Sequence, residues 1–523
     1  MAQEMGFSAI DLFAGIGGFR MAVERCGGRC AAFSEIAPDA IDAYLSNHPE
    51  GAGTNLGDIT KINALPPADF LTAGVPCQSW SIAGRNLGFD DDRGQLWNDA
   101  IYLLNQSRPK AFLFENVKGL ADPRNEHALR YILDRIWEAG YHAAHYVLNS
   151  FDYGSPQSRV RIYIVGFREE EFFRSFKLPR PSANKVRLRE IMDDFLLDGS
   201  KPLDTELPST AFAPLSSLSA NNNGHNDYFI FNDIRNGPTT VHSWDILPTS
   251  KRQKDICLLL LKNRRKRNYG PLDGNPLSLV QFQSLDPSVS QKELDGLVEL
   301  GILKMEKYSF AVLDSHVPSS DLDDAEKLVL SKQERGAIVP DKLVCDRDIK
   351  KQRVRVFNTL GSLERKNLIT CQETRYEFHH TKISTGLGGV CRIFLPTSNI
   401  FPTLVASDTN DYLTPVHVPA TGQEEYKARF IEQVFLAKRF RKISKAEACR
   451  IQGFPDDFIL PEARARWMKL LGNSVSVPVI QKLVQAIKET GVFDRQPIEV
   501  QTAKNRKRPS SMQRTMQPTL FDA

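Results

Sequence analysis

The chain has 523 residues, 41% hydrophobic and 25% charged, with a formal net charge of only +4. That length exceeds one ordinary domain, and the composition is that of a globular protein, not a polycation or a disordered chain. No apolar run reaches membrane-spanning length, and the opening MAQEMGFSAIDLFAG lacks the charged-then-apolar layout of a signal peptide, so a cytoplasmic protein is expected.

The first 180 residues alternate short apolar runs with helical patterns. Strands are predicted at 7–13, 30–34, 69–73, 111–114 and 161–165, with helices at 19–26, 96–105 and 130–139 between them. This alternation predicts an α/β fold, a Rossmann-like, doubly wound, mostly parallel sheet whose ligands bind at the carboxyl ends of the strands. A Pro-, Ser- and Asn-rich stretch follows to residue 223, and the chain is then helical, charged and interrupted from 251 to about 380. The α/β character is expected to return near residue 430. The domain plan is therefore a first catalytic part at 1–180, a mixed α+β insert at 181–430, completion of the first domain at 431–490, and a basic disordered tail at 491–523.

The insert holds a candidate internal repeat. Segments 297–303 and 363–369 each read as a helix ending at a residue tolerant of the left-handed conformation, Gly301 and Asn367, followed by an alternating run. A strand, turn and strand after each helix would make winged-helix units near 251–315 and 346–380. Basic clusters at 262–267 and 504–508 offer phosphate contacts, with Arg264, Arg265 and Arg267 the nominated residues of the first.

Residues with chemical potential gather at the predicted strand ends. Gly15, Gly17 and Gly18 join the first strand to the first helix, where backbone N–H groups favour an anionic ligand group; a tight connection or a dinucleotide would use the same turn. Glu35 ends the second strand, where an acid commonly grips ribose hydroxyls, and Asp58 follows in Gly57-Asp58-Ile59; each acid is equally readable as a helix cap. Cys77 follows Pro76 at the mouth of the third strand. The eight cysteines are otherwise scattered, at 26, 30, 257, 345, 371, 391 and 449, without the paired spacing of a zinc site, which predicts free thiols, a reducing compartment and no metal. Glu115 ends a later strand, and Arg159 and Arg161 enter the next with both side chains expected on one face.

Eight stretches in this order carry a resemblance: DLFAGIGGFR (11–20), the acid in Ser34-Glu35-Ile36, GDI (57–59), GVPCQSWSIAGR (74–85), FENVKGL (114–120), QSRVRIYIVG (157–166), RKISKAEACRIQGFPDDF (441–458) and LGNSVSVPVI (471–480). The chain resembles the DNA (cytosine-5)-methyltransferases of restriction-modification type. The resemblance implies that Cys77 attacks C6 of a flipped-out cytosine in duplex DNA and that Glu115 hydrogen-bonds N3 and the exocyclic amine. Arg159 and Arg161 would hold the base and the acid. It implies S-adenosyl-L-methionine as cofactor, bound by Phe13, Gly15, Gly17, Gly18, Glu35, Ile36, Asp58, Ile59, Leu96, Asn473 and Val475. Relatives often place a large aromatic after the acid; Ile36 makes the expected adenine contact aliphatic. Residues 79–92 read as a loop that closes over the base, and the insert as the target-recognition region.

The alternative within this resemblance is a transfer-RNA cytosine-5 methyltransferase, a branch that usually has a small recognition region. The Pro-Pro-aromatic motif of amino-methylating enzymes is missing, since the one Pro-Pro stands in Leu65-Pro-Pro-Ala68. Gln517, Leu520 and Phe521 in the tail resemble short peptides that dock on sliding clamps. A cognate restriction endonuclease is the expected functional partner.

Overall fold

The computed structural model describes residues 6–76, 92–196, 228–232, 239–272, 274–313, 321–381, 386–418, 420 and 422–494. The central sheet contains β1 (Ser8–Leu12), β2 (Arg29–Ser34), β3 (Phe70–Gly74), β4 (Ala111–Val117), β5 (His142–Asn149) and β6 (Val160–Phe167), in the order β2-β1-β3-β4-β6-β5. β2, β1, β3 and β4 run parallel, and β6 alone is reversed, antiparallel to both β4 and β5. β1 and β4 are apolar runs with hardly an exposed residue, as strands covered on both faces must be. β5 escapes the sequence reading because it is an edge strand: HAAHYVLN is mostly half-buried or exposed and carries no apolar run.

Helices cover both faces. α1 (Gly18–Arg25) and α2 (Pro38–Asn47) contribute Phe19, Val23 and Ala43 to one core. α3 (Asp92–Ser107) and α4 (Glu126–Glu138) bury Trp97, Leu104, Ile132 and Ile136 in the other. The chain leaves β1 toward β2 on one side and reaches β3 on the other, so a crevice opens at the carboxyl end of β1.

Beyond β6 the chain departs from expectation in three ways. Leu188, Ile191 and Met192, assigned to the insert, pack in the same core as α1, so the first catalytic segment runs past residue 180.

The insert itself contains two helix-and-strand units. Helices α5 (Lys251–Asn263), α6 (Leu279–Leu285) and α7 (Gln291–Glu299) lead into β8 (Leu303–Val312), after a short earlier strand, β7 (Tyr228–Phe231). α8 (Asp324–Ser331) and α9 (Val356–Arg365) lead into β9 (Ile369–Phe378). Gly301 and Asn367 do close their helices in the left-handed region, at φ 70° and 54°. The expected hairpin wings are missing: β8 pairs antiparallel with β9 along its whole length, from Leu303↔Phe378 to Val312↔Ile369. Neither ten-residue strand contains Gly, Pro or Asn, so neither can reverse on itself. The units interlock, with Tyr376 and Phe378 packing among the first unit's Ile256 and Leu297, and Phe310 among the second unit's Leu360 and Leu363. Arg264, nominated for phosphate contact, is instead buried; its guanidinium donates to Glu377 at 2.8 Å and lies over Phe378.

After the insert, β10 (Arg392–Phe394) and β11 (Asp411–Leu413) complete a small sheet with β7. The returning segment adds no strand to the central sheet. It supplies α10 (Lys445–Gln452), α11 (Arg464–Asn473) and α12 (Val477–Lys488), which cover the α1 face. In α12, Pro478 sits in the first turn and Val477, Ile480 and Val484 recur at helical spacing.

The two ends of the insert are tied by a buried ionic cluster. Glu447 accepts from both Arg441 Nη atoms, at 2.9 and 2.7 Å, and from the N–H groups of Asp193 and Ser444, both at 2.8 Å. Arg450 bridges Asp193 and Asp456. Glu447→Ala deletes the buried acceptor of two N–H groups and leaves Arg441 paired with Asp194 alone, and the expected cost is about 3 kcal/mol. Urea denaturation followed by Trp fluorescence reads it directly; an unshifted midpoint would show that other contacts hold the insert ends together.

Candidate active site

The crevice at the carboxyl edge encloses a cavity of about 320 Å³. Its floor is the turn after β1. Phe13 and Gly15 are left-handed, at φ 55° and 56°, and the turn swings the backbone N–H of Gly15 toward β2. There it donates to Glu35 Oε2 at 2.9 Å, while Glu35 Oε1 accepts from Ile36 and Ala37 N–H at 2.8 Å each. Three donors fix the carboxylate in one orientation with lone pairs left for a ligand's hydroxyls. Gly18 admits close packing of the returning chain: a Cβ there would lie 2.8 Å from Val475 Cγ2.

Asp58 is both cap and wall. Its Oδ1 accepts from the N–H and hydroxyl of Thr60, each at 2.9 Å, and Oδ2 lies 3.7 Å from Lys61. Burial opposes its ionisation, but these hydrogen bonds hold its carboxyl below the usual range. Ile36, 67% exposed, forms the rim.

The other wall carries the acid and the arginines. β3 and β4 are in register at Gly74↔Glu115, and β4 and β6 at Val117↔Arg161, so the strand ends bring these groups together. Arg161 Nε lies 3.1 Å from Glu115 Oε1. Burial pushes the Glu115 carboxyl above its ordinary range, and Arg161 and Arg159 pull against this without cancelling it. The side chain of Asn116 donates to Val75 O at 3.1 Å, anchoring the chain just before Pro76.

Arg159 lines the same cavity as Arg161 but spends its hydrogen bonds on the backbone. It precedes β6, is buried, and donates to three carbonyls: Leu404 at 2.9 Å, Gly472 at 3.0 Å and Ser474 at 2.5 Å. It clamps the segment Gly472–Val475, which closes the cavity, against the connection between β10 and β11 that carries Leu404. Gly472 is obligatory there, because a Cβ would meet Val405 C at 2.3 Å.

Phe13, Gly15, Gly18, Glu35, Ile36, Asp58, Ile59, Leu96, Glu115, Arg159, Arg161, Asn473 and Val475 all line this one cavity. Gly17 does not; it is the left-handed N-cap of α1 and faces His48 and Tyr44. Cys77 and the loop 79–91 lie outside the described residues, as does the tail beyond 494. The sequence reading missed Phe19, Gly57, Gly74 and Ser474 in the lining. All four stand within stretches already singled out, but only the fold shows which neighbours turn inward.

Among the described residues one group, Glu24, His48 and Glu50, has metal-ligand proximity, yet Arg20 already bonds both carboxylates. Asp11 is fully buried behind the cavity, accepts from Thr72 at 2.9 Å, and is pushed up to about 7 by burial. No helix among the described residues is long and apolar enough to cross a membrane.

The family model for C-5 cytosine-specific DNA methylases matches residues 7–489. This chain belongs to that family. As a C-5 cytosine methylase it is 39% identical over 499 residues to the type II methyltransferase M.HgiBI of Herpetosiphon aurantiacus, covering 94% of this chain and 99% of that one. It is 28% identical over 510 residues to M.NlaIV of Neisseria lactamica, covering 92% and 98%. Against M.HhaI of Haemophilus parahaemolyticus the identity is 39% over 201 residues, 38% of this methylase and 59% of that one. Its activity is DNA cytosine-5 methylation.

Proposed function

We propose that the cavity binds S-adenosyl-L-methionine on one side and an extruded cytosine on the other, and that Cys77 is the nucleophile. The cavity's donor set fits the cofactor: Glu35 with free lone pairs for ribose hydroxyls, Asp58 for an adenine amine, Ile36 and Val475 for apolar faces, and the Gly15–Gly18 backbone for a carboxylate. When bound, the cofactor supplies an electrophilic methyl group.

The single observation that carries the reading is the meeting of Glu115 and Arg161 with the Gly15, Glu35 and Asp58 side of the crevice on one cavity, whose β3 wall ends at Pro76, one residue before Cys77. The Cys77 thiolate adds to C6, and the ring pair moves toward C5. Glu115, whose carboxyl burial holds above its ordinary range, donates to N3 in its protonated form, and its carbonyl oxygen accepts from the exocyclic amine. Arg161 orients that carboxyl, and Arg159 positions the wall without touching the base. After methylation at C5, a base removes the C5 proton and the returning pair expels the Cys77 sulfur. Extruding the base costs a few kcal/mol, which binding to the insert must offset.

The kinship with type II methyltransferases supports a role in protecting DNA from a partner restriction enzyme, and hence a cytoplasmic location beside the DNA. The tail residues Gln517, Leu520 and Phe521 remain the candidate clamp contact. Bisulfite sequencing of DNA from cells expressing the protein tests the activity and its context together. Protected cytosines in one short sequence are expected; unprotected DNA alongside methylated transfer RNA would favour the RNA branch and reject this reading.

A further inference from the structure

The two interlocked units of the insert share a plan but not a charge. The twenty residues that end one before Asn367, 347–366, hold seven basic and two acidic residues; the twenty ending one before Gly301, 281–300, hold one basic and four acidic. Both sets of helices fold and pack, so the fold does not require the basic charge.

The placement of these cations is equally uneven. The second unit buries Leu343, Ile349, Val356, Leu360 and Leu363, and turns Arg347, Lys350, Lys351, Arg353 and Arg355 outward. Other cations of the insert are matched: Lys304 with Glu306, Lys307 with Glu364, Lys342 with Glu334, Lys366 with Glu326, and Lys332 with Asp348. None of the five outward cations forms an ion pair among the described residues. Arg353 also stands in the left-handed region at φ 55°, where Gly or Asn is cheaper. Beside them Phe357 presents its ring to solvent at 67% exposure, one residue after Val356 turns into the core. An unpaired run of outward cations with an exposed aromatic beside it is complementary to a phosphodiester backbone with sugars and bases within reach.

We infer that the face from Arg347 to Phe357 is a docking surface for the backbone of duplex DNA, and that the first unit serves as its scaffold. This inference rests on the proposed action on duplex DNA. It replaces the buried Arg264 as the centre of the insert's phosphate contacts.

The test uses the full chain, a fluorescent 30-base-pair duplex and a transfer RNA as probes, and two variants: Lys350→Ala/Lys351→Ala/Arg355→Ala, and Phe357→Ser. A control, Lys304→Ala/Lys307→Ala/Lys342→Ala, removes the same charge from paired positions. Each phosphate contact contributes about 0.9 to the slope of log affinity against log salt, so the first variant is expected to flatten the slope by about 2 to 3 while the control changes it by under 1. Phe357→Ser is expected to weaken binding roughly ten-fold, as loss of one stacking or apolar contact does, with the slope unchanged. Single-turnover methylation at saturating duplex should stay near the wild-type rate in both variants, since neither touches the cavity. A wild-type slope in the first variant, or the same flattening in the control, overturns the surface while the methylation assay leaves the activity standing. Flattening seen with transfer RNA and not with the duplex overturns it in favour of an RNA surface. A wild-type protein that methylates no duplex defeats both inferences.

Discussion

Cys77→Ser is expected to abolish turnover, with kcat reduced on the order of 10³-fold or more, and to remove the covalent complex expected of the wild-type protein on duplex DNA containing 5-fluorocytosine. The trap works because fluorine at C5 cannot leave as a proton does, so the Cys77 sulfur stays on C6. A hydroxyl replaces the sulfur with little change in volume, yet at neutral pH it ionises far less than a thiol, whose reference pKa is about 8.5. The wall leading to this position is fixed as far as Pro76: Asn116 holds Val75, and β3 aligns Gly74 with Glu115. Denaturing gel electrophoresis of the fluorocytosine complex reads the outcome, and a trapped band in the serine variant would falsify the nucleophile.

Glu115→Gln is the second large effect. General acid action by a positioned carboxyl contributes roughly 10²-fold or more, and an amide cannot pass a proton to N3. The pH dependence separates this role from mere packing. The folded carboxyl titrates above its ordinary value because burial outweighs Arg161 and Arg159. Its protonated form is complete below the unfolded pKa and is lost as pH rises through the folded one. Wild-type kcat/KM should therefore carry a descending limb that begins above the ordinary carboxylate range, opposed by the ascending limb of the Cys77 thiol. In the glutamine variant the descending limb disappears and the ascending limb remains. Stability follows the same sign: the contribution of a neutral, buried Glu115 is lost as pH rises, so the variant's unfolding midpoint varies less with pH. A variant that keeps both limbs would assign the descending limb to another group.

How much of this was legible beforehand depended on where each residue gets its instructions. β1, β3 and β4 are runs of buried apolar residues, and the turn of Gly15 and Gly18 announces itself by composition, so the central sheet and its crevice were readable. β5 was not, because an edge strand with half-exposed residues carries no apolar period. The returning helix α12 carried no assignment of its own; Pro478 in its first turn and packing on α1 select the helical spacing. Arg159 and Arg161 were read as partners on one face. They differ by the chain's course at the start of β6, which buries one against three carbonyls and leaves the other on Glu115.

The sequence by itself determined the α/β class, the positions of β1 to β4 and β6 along the chain, and the acids and glycines at their ends, since each follows from local periodicity, from backbone freedom or from side-chain chemistry. Only the tertiary structure decided that β8 pairs with β9 and not with itself, that Arg264 faces Glu377 while the cations from Arg347 to Arg355 face solvent, and that Gly472 to Val475 return from the far end of the chain to close the cavity. Those outcomes are set by which distant surfaces exclude water together, a choice that no stretch of neighbouring residues contains.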